Sequence, residues 1–130
     1  MPAANWEIQA VLSDHFKHPR HWGMLHRARH RTGASPGCGD EQIIYVDDTA
    51  GTLSQVSFHA TGCALSRACT SLLLEHVESR TWSDVTALDL SFFTQILGSD
   101  IVHSRPKCTL LGLTILHNLD PGRETDEPSP

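Results

Sequence analysis

Four cysteines, at positions 38, 63, 69 and 108, and one aspartate at position 40 are the residues whose types and settings can do chemistry. A thiolate is a nucleophile towards sulfur and a soft metal ligand, so what matters is which thiols are placed to ionise and to be reached. Cys38 sits in Gly33-Ala34-Ser35-Pro36-Gly37-Cys38-Gly39-Asp40, a run of turn formers with a glycine on each side of the thiol. Cys63 follows Gly62 and opens a stretch in which Leu65, Ala68, Cys69, Leu72, Leu73 and Val77 recur with helical spacing. Cys108 follows Pro106, a residue suited to the first position of a helix. Cys63 and Cys108 therefore fall at predicted helix N-termini, where free N–H groups and the helix dipole favour thiolate over thiol. Arg105 and Lys107 add positive charge beside Cys108. Cys69 differs: six residues past Cys63 it lies about 120° round the helix axis, and it reads as a small core residue.

Cys38, Cys63, Cys108 and Asp40 can supply three sulfurs and one oxygen to a tetrahedral site. Thiolates select zinc or iron–sulfur units, for which a carboxylate is a harder and weaker ligand. The plainer alternatives are a buried structural cysteine at 63 and, at Asp40, a cap on the Cys38 turn. No pair of cysteines has the CxxC spacing of zinc fingers or thioredoxin-type sites.

The elements that must position these residues are legible in outline. Ile8, Val11, Leu12 and Phe16 predict an amphipathic helix from about Trp6 to Phe16, stopped by Pro19. Residues 17–31 hold five of the ten Lys/Arg and four of the nine histidines, and they read as a basic surface loop that could dock an acidic protein. Gln42–Asp47 and Leu53–Ala60 predict an antiparallel hairpin turning at Asp48-Thr49-Ala50-Gly51. Its open end brings the Cys38-Gly39-Asp40 turn and Cys63 together, so the two cysteines are expected to meet. A helix from Cys63 to about Glu78 follows, then a short one capped by Ser83, another over Leu90–Leu97 closed by Gly98, and a loop over Ser99–Arg105. The last helix runs from Pro106 to Leu119. From Asp120 the chain is acidic and Pro-rich and reads as a disordered tail. Residues 1–119 thus form one expected domain and 120–130 a tail.

With 130 residues, 39% hydrophobic and 19% charged, the chain has the composition of an ordinary soluble globule. A net charge of −5 argues against nucleic acid as the main partner, and no apolar run is long enough to span a bilayer. The absence of a signal-peptide pattern points to the cytoplasm, where the cysteines are expected as thiols.

Several pieces together resemble the U-type iron–sulfur cluster scaffold family, which comprises Isc-type and Suf-type proteins and the N-terminal domain of the Nif-type protein. They are Asp14-His15-Phe16-Lys17-His18-Pro19-Arg20 with Gly23, Pro36-Gly37-Cys38-Gly39-Asp40, Gly62-Cys63-Ala64-Leu65-Ser66 with Ala68, and Arg105-Pro106-Lys107-Cys108. The resemblance implies an α+β fold similar to SufE and NifU, with a three-stranded antiparallel sheet packed against helices. It also implies that Cys38, Asp40, Cys63 and Cys108 gather at one exposed end. Lys107 before the third cysteine is similar to the Suf type, whereas the separation of Cys63 and Cys108 by only 45 positions is similar to the Isc and Nif types.

The expected function is a non-catalytic scaffold carrying a transient iron–sulfur cluster of the two-iron, two-sulfur kind. The implied partners are a cysteine desulfurase, with Cys38 as first sulfur acceptor, and the apoproteins that receive the cluster. The alternative is a zinc-bound, sulfurtransferase-like acceptor that stimulates the desulfurase. A structural zinc module ranks last, because structural sites tend to be closed and built of Cys and His alone. The sequence leaves the oligomeric state open.

Overall fold

The computed structural model describes residues 5–35, 39–49 and 51–124. Three antiparallel strands, β1 (Arg29–Ser35), β2 (Asp40–Asp47) and β3 (Gln55–Thr61), form a sheet in the order β1-β2-β3. The helices are α1 (Asn5–Lys17), α2 (Ala64–Val77), α3 (Trp82–Thr86), α4 (Leu90–Leu97), α5 (Ser99–Ser104), α6 (Pro106–His117) and α7 (Pro121–Glu124). This is the expected α+β arrangement. No helix among the described residues is long and apolar enough to cross a membrane.

Alternation along β2 decides which way the sheet faces. Asp40, Gln42, Ile44 and Val46 are buried and share one side, since successive side chains of a strand point to opposite faces. Ile44 and Val46, with Val56 and Phe58 of β3, meet the apolar faces of α2 and α6, including Leu73, Val77, Leu113 and Leu116. Phe58 is fully buried, and its burial alone contributes about 2–3 kcal/mol. Pairing Glu41 with Thr61 and Asp47 with Gln55 puts the start of β2 beside the end of β3. The hairpin therefore delivers the chain to Cys63 next to Asp40, as its sequence implies.

Strand β1 is the element that residue patterns do not predict. Its half-buried positions are Arg29, Arg31 and Gly33, so it carries no apolar alternation, and it falls within the stretch read as a basic loop and a turn. Gly33 explains its seat: a Cβ there would stand 2.6 Å from Ile115 Cγ1, so only glycine lets β1 lie this close on α6. Arg29 is a strut, bonding Asp48 through Nη2 (2.6 Å) and Nε (3.3 Å) and the Leu119 carbonyl through Nη2 (2.7 Å).

Other boundaries move for identifiable reasons. Helix α3 is capped by Thr81 rather than Ser83, in a capping box with Asp84. Ser99–Ser104 is helical rather than a loop, because Gly98 at φ 85° turns the chain once and Val102 is then buried. Asn118 caps α6, which ends at His117. The first residues of the predicted tail form α7, and residues 125–130 lie outside the described residues.

The segment after α1 is held to α2 and β3. Ser71 Oγ on α2 accepts the Arg20 backbone N–H and lies 2.8 Å from Nδ1 of the buried His15. Burial lowers the affinity of His15 for a second proton, and Arg20 acts in the same direction. Phe58 and residues 21–23 exchange backbone bonds, Phe58 N–H to the His21 carbonyl and Gly23 N–H to the Phe58 carbonyl, both 2.9 Å.

Candidate metal centre

Three elements converge at one end of the sheet. Asp40 is the first residue of β2, Cys63 is the N-cap of α2 and Cys108 is the third residue of α6, after Pro106 at its start. One carboxylate oxygen of Asp40 and the two sulfurs all lie within 4.8 Å of one another. A tetrahedral ion with metal–sulfur bonds of about 2.3 Å holds its donors about 3.8 Å apart, so this spacing fits one ion with little adjustment.

The carboxylate of Asp40 is half used. Oδ1 accepts the Cys63 backbone N–H at 2.6 Å, whereas Oδ2 is buried and has no hydrogen-bond partner among the described residues. A carboxylate with an unsatisfied buried oxygen and two thiols close to it suits a cation, because burying such an oxygen without a partner is costly. Asp40 does act as a cap, but on the amide that opens α2. The fit depends on Gly62, at φ 103°, where a Cβ would come within 2.5 Å of Asp40 Oδ1 and 2.8 Å of Asp40 Cα. Any other residue at 62 would push the carboxylate out of place.

The centre is more enclosed than expected. Asp40 and Cys108 are 1% and 2% exposed, and only Cys63 is half-buried. Cys63 reaches the surface through a groove of about 420 Å³ between α1 and the start of α2, lined also by Leu12, Phe16, Leu65 and Arg105. Cys38, expected as the third sulfur and first acceptor, lies outside the described residues. Ser35 and Asp40 are directly paired across β1 and β2.

Cys69 stands apart from the cluster, as its spacing predicts. It is fully buried, and burial pushes its thiol up to about 12, with Cys63 and Cys108 adding to the rise and a hydrogen bond with Thr109 opposing it. A thiol so hard to ionise is a poor ligand.

The basic stretch is less available than its composition suggests. Arg20 pairs with Asp14 at 2.7 Å and approaches Glu75, and Arg29 is held by Asp48. Arg67, which no spacing in the sequence marks, has its guanidinium over the exposed rings of Phe16 and Trp22, 5.2 and 5.3 Å from their centroids. Gln42 and Thr70, like Ser66 of the Cys63 motif, are buried polar residues near the centre that no sequence pattern marks as a group. The available signal for Gln42 was its phase, since it shares the inward side of β2 with Ile44 and Val46.

Residues 7–118 match the family described as NifU-like N terminal domain. The iron–sulfur cluster assembly scaffold protein IscU of Aquifex aeolicus strain VF5 is 30% identical over 117 residues, covering 87% of this chain and 73% of that protein. The IscU scaffold of Streptococcus pyogenes serotype M1 is 28% identical over 96 residues, covering 74% of this chain. The matched region spans 60% of the streptococcal protein's length. The N-terminal NifU-like protein of Brucella abortus superposes with a TM-score of 0.76 at 16% identity, covering 90% of this chain and 94% of that one, a likeness of fold.

Proposed function

The chain belongs to the NifU-like N-terminal domain family, and from that premise we propose that it is a scaffold on which an iron–sulfur cluster is built and then handed to apoproteins. The observation that carries this reading is the half-used carboxylate of Asp40. Its buried Oδ2 has no hydrogen-bond partner among the described residues, and one oxygen of the same carboxylate clusters with Cys63 and Cys108, which come from two other elements. Cys38, Cys63 and Cys108 are the proposed sulfur ligands and Asp40 the oxygen ligand. The relatives in Aquifex and Streptococcus are iron–sulfur cluster assembly scaffolds by name.

In the proposed sequence a cysteine desulfurase presents a persulfide, and the Cys38 thiolate attacks its outer sulfur. The new S–S bond forms on Cys38 as the donor's S–S bond breaks, and the donor cysteine leaves as a thiolate. The cargo is a two-iron, two-sulfur cluster, held most weakly at its oxygen ligand. Cys63, reached through the groove beside α1, offers the incoming acceptor thiol a route to the centre.

A second reading is favoured by the spacing of the donors, which suits a single tetrahedral ion: a zinc-bound sulfur acceptor that stimulates the desulfurase and holds no cluster. Anaerobic purification followed by iron, zinc and acid-labile sulfide analysis separates the two. Iron with equimolar sulfide is the result expected of the scaffold; zinc without sulfide would replace it with the acceptor.

A further inference from the structure

Behind the centre, one amide side chain crosses from the sheet to the helices. Gln42 is 1% exposed and lies two residues after Asp40, on the same face of β2. Its Nε2 donates to the Ser66 carbonyl at 3.2 Å and to Ser66 Oγ at 2.8 Å, and its Oε1 accepts from Thr70 Oγ1 at 2.7 Å. The orientation of the amide follows from its partners. A main-chain carbonyl can only accept, so the NH2 group must face Ser66, and the oxygen is left for the Thr70 hydroxyl. Both donors and the acceptor of Gln42 are thereby used.

These bonds repeat, one step along, the bond that Asp40 makes. Asp40 ties β2 to the amide of Cys63. Gln42, about 7 Å further along the strand, ties β2 to Ser66 in the first turn of the same helix. One tie alone would leave α2 free to pivot about it; two fix both the height and the rotation of its first turn. The chain of contacts then reaches the third ligand-bearing element. Thr70 packs on Gly112 of α6, where a Cβ would collide with Thr70 Oγ1, so α6 and Cys108 are seated against the residue Gln42 holds.

We infer that Gln42 is a positioning residue of the centre, holding the Cys63 and Cys108 sulfurs at their spacing from Asp40 while making no contact with the cargo. This inference rests on the reading of Asp40, Cys63 and Cys108 as ligands. Its value to a scaffold is specific. Asp40 is both a tie and a weak ligand, so a change in its contacts would loosen α2 unless a second tie stood behind it.

Gln42→Met keeps the length of the side chain and removes every hydrogen bond. Gln42→Met/Thr70→Val removes the Thr70 hydroxyl as well, and Ser66 Oγ can turn to the carbonyl of the preceding turn, so no buried polar group is stranded. The double variant should therefore melt close to the parent, which separates stability from positioning. Amide hydrogen exchange on the metal-free full chain should show faster exchange at the start of α2 in both variants, with the rest of the helix unchanged. Anaerobic loading with Co²⁺ gives the second readout. Both variants should lose intensity in the visible bands of tetrahedral cobalt–thiolate, and a chelator should strip cobalt about tenfold faster than from the parent, the scale of loss for groups that orient ligands. Parental exchange and parental cobalt release in the double variant would overturn the inference, as would release that recovers in step with melting temperature. If the parent itself binds no cobalt, the ligand reading fails, and hydrogen exchange still decides whether Gln42 holds α2.

Discussion

An aspartate stands at each end of strand β2, Asp40 buried and Asp48 half-buried, and the two are treated in opposite ways. At the far end Asp48 follows the last residue of the strand and is saturated. Arg29 grips it through two nitrogens, Trp82 Nε1 donates at 2.8 Å, and the same arginine reaches on to the end of α6. At the near end Asp40 has one backbone N–H on Oδ1, no partner for Oδ2 among the described residues, and two thiols nearby where Asp48 has an arginine. The first carboxylate is completed by the chain itself and locks β1, β2 and α3 together. The second is left incomplete among the described residues. A buried carboxylate that its described neighbours leave half-satisfied is a candidate functional group, whereas one gripped by an arginine and an indole reads as structural.

The comparison breaks most visibly at the thiols. Cys38→Ser, Cys63→Ser and Cys108→Ser should each weaken metal retention by about 100-fold or more, beyond what changes to ligand-orienting groups cause. Cys69→Ser should retain metal like the parent, because its thiol is buried and held protonated. Chelator competition on the anaerobic protein measures all four. Loss of metal from a folded Cys69→Ser variant would show that the ligand set has been drawn wrongly.

At the saturated end the expected effect is on stability and spares the metal. Arg29→Ala strips Asp48 of its guanidinium partner, leaving the Trp82 indole and a backbone N–H, and should cost about 2 kcal/mol in urea unfolding, since solvent screens part of this pair. It should also change the acid limb. Burial pushes the Asp48 carboxyl up, but bonds from Arg29 and Trp82 outweigh it and leave it below its ordinary value of 3.8. A carboxylate lowered on folding stabilises the protein above the unfolded value, and that contribution is lost as pH falls through the folded one. Removing Arg29 should therefore start acid unfolding at a higher pH, with cobalt or iron retention at neutral pH unchanged. If metal is lost as well, the two ends of β2 are not independent.

How much of this was legible in the sequence differs by residue for physical reasons. Helices α1, α2 and α4 and the β2–β3 hairpin were readable because their apolar spacing matches the core they bury. So was the meeting of Asp40 and Cys63, since a hairpin brings its two ends together. Strand β1 was invisible to patterning: Arg29 faces inward to reach Asp48, and Gly33 faces inward because nothing larger fits under Ile115. Only the resemblance to a family supplied a third strand. The enclosure of Cys108 depends on how α6 settles against α2 at Gly112 and Thr70, a contact between residues 42 positions apart that no local pattern encodes. The same holds for Gln42, whose partners lie on another element.

The smallest expected effect is also the sharpest test of what the incomplete end is for. If the weak oxygen ligand serves release, Asp40→Ala should lengthen the life of a reconstituted cluster roughly fivefold, on the order of 1 kcal/mol in the barrier, and slow its transfer to an acceptor apoprotein. The same substitution removes the bond to the Cys63 amide, and loss of such a cap costs about 1 kcal/mol of folding stability. The two consequences are read separately, cluster lifetime from the decay of visible absorbance and the cap from urea unfolding. Asp40→Asn divides them further. Its amide oxygen can still accept the Cys63 N–H, so folding stability should stay near the parent, while the charged ligand is gone. On the release reading both variants keep the cluster longer, and only the alanine variant loses folding stability. If Asp40→Ala sheds its cluster faster and Asp40→Asn behaves like the parent, then Asp40 holds α2 in place and has no part in letting the cargo go. Gln42 would then be an insufficient second tie, because α2 would have drifted once the first was cut.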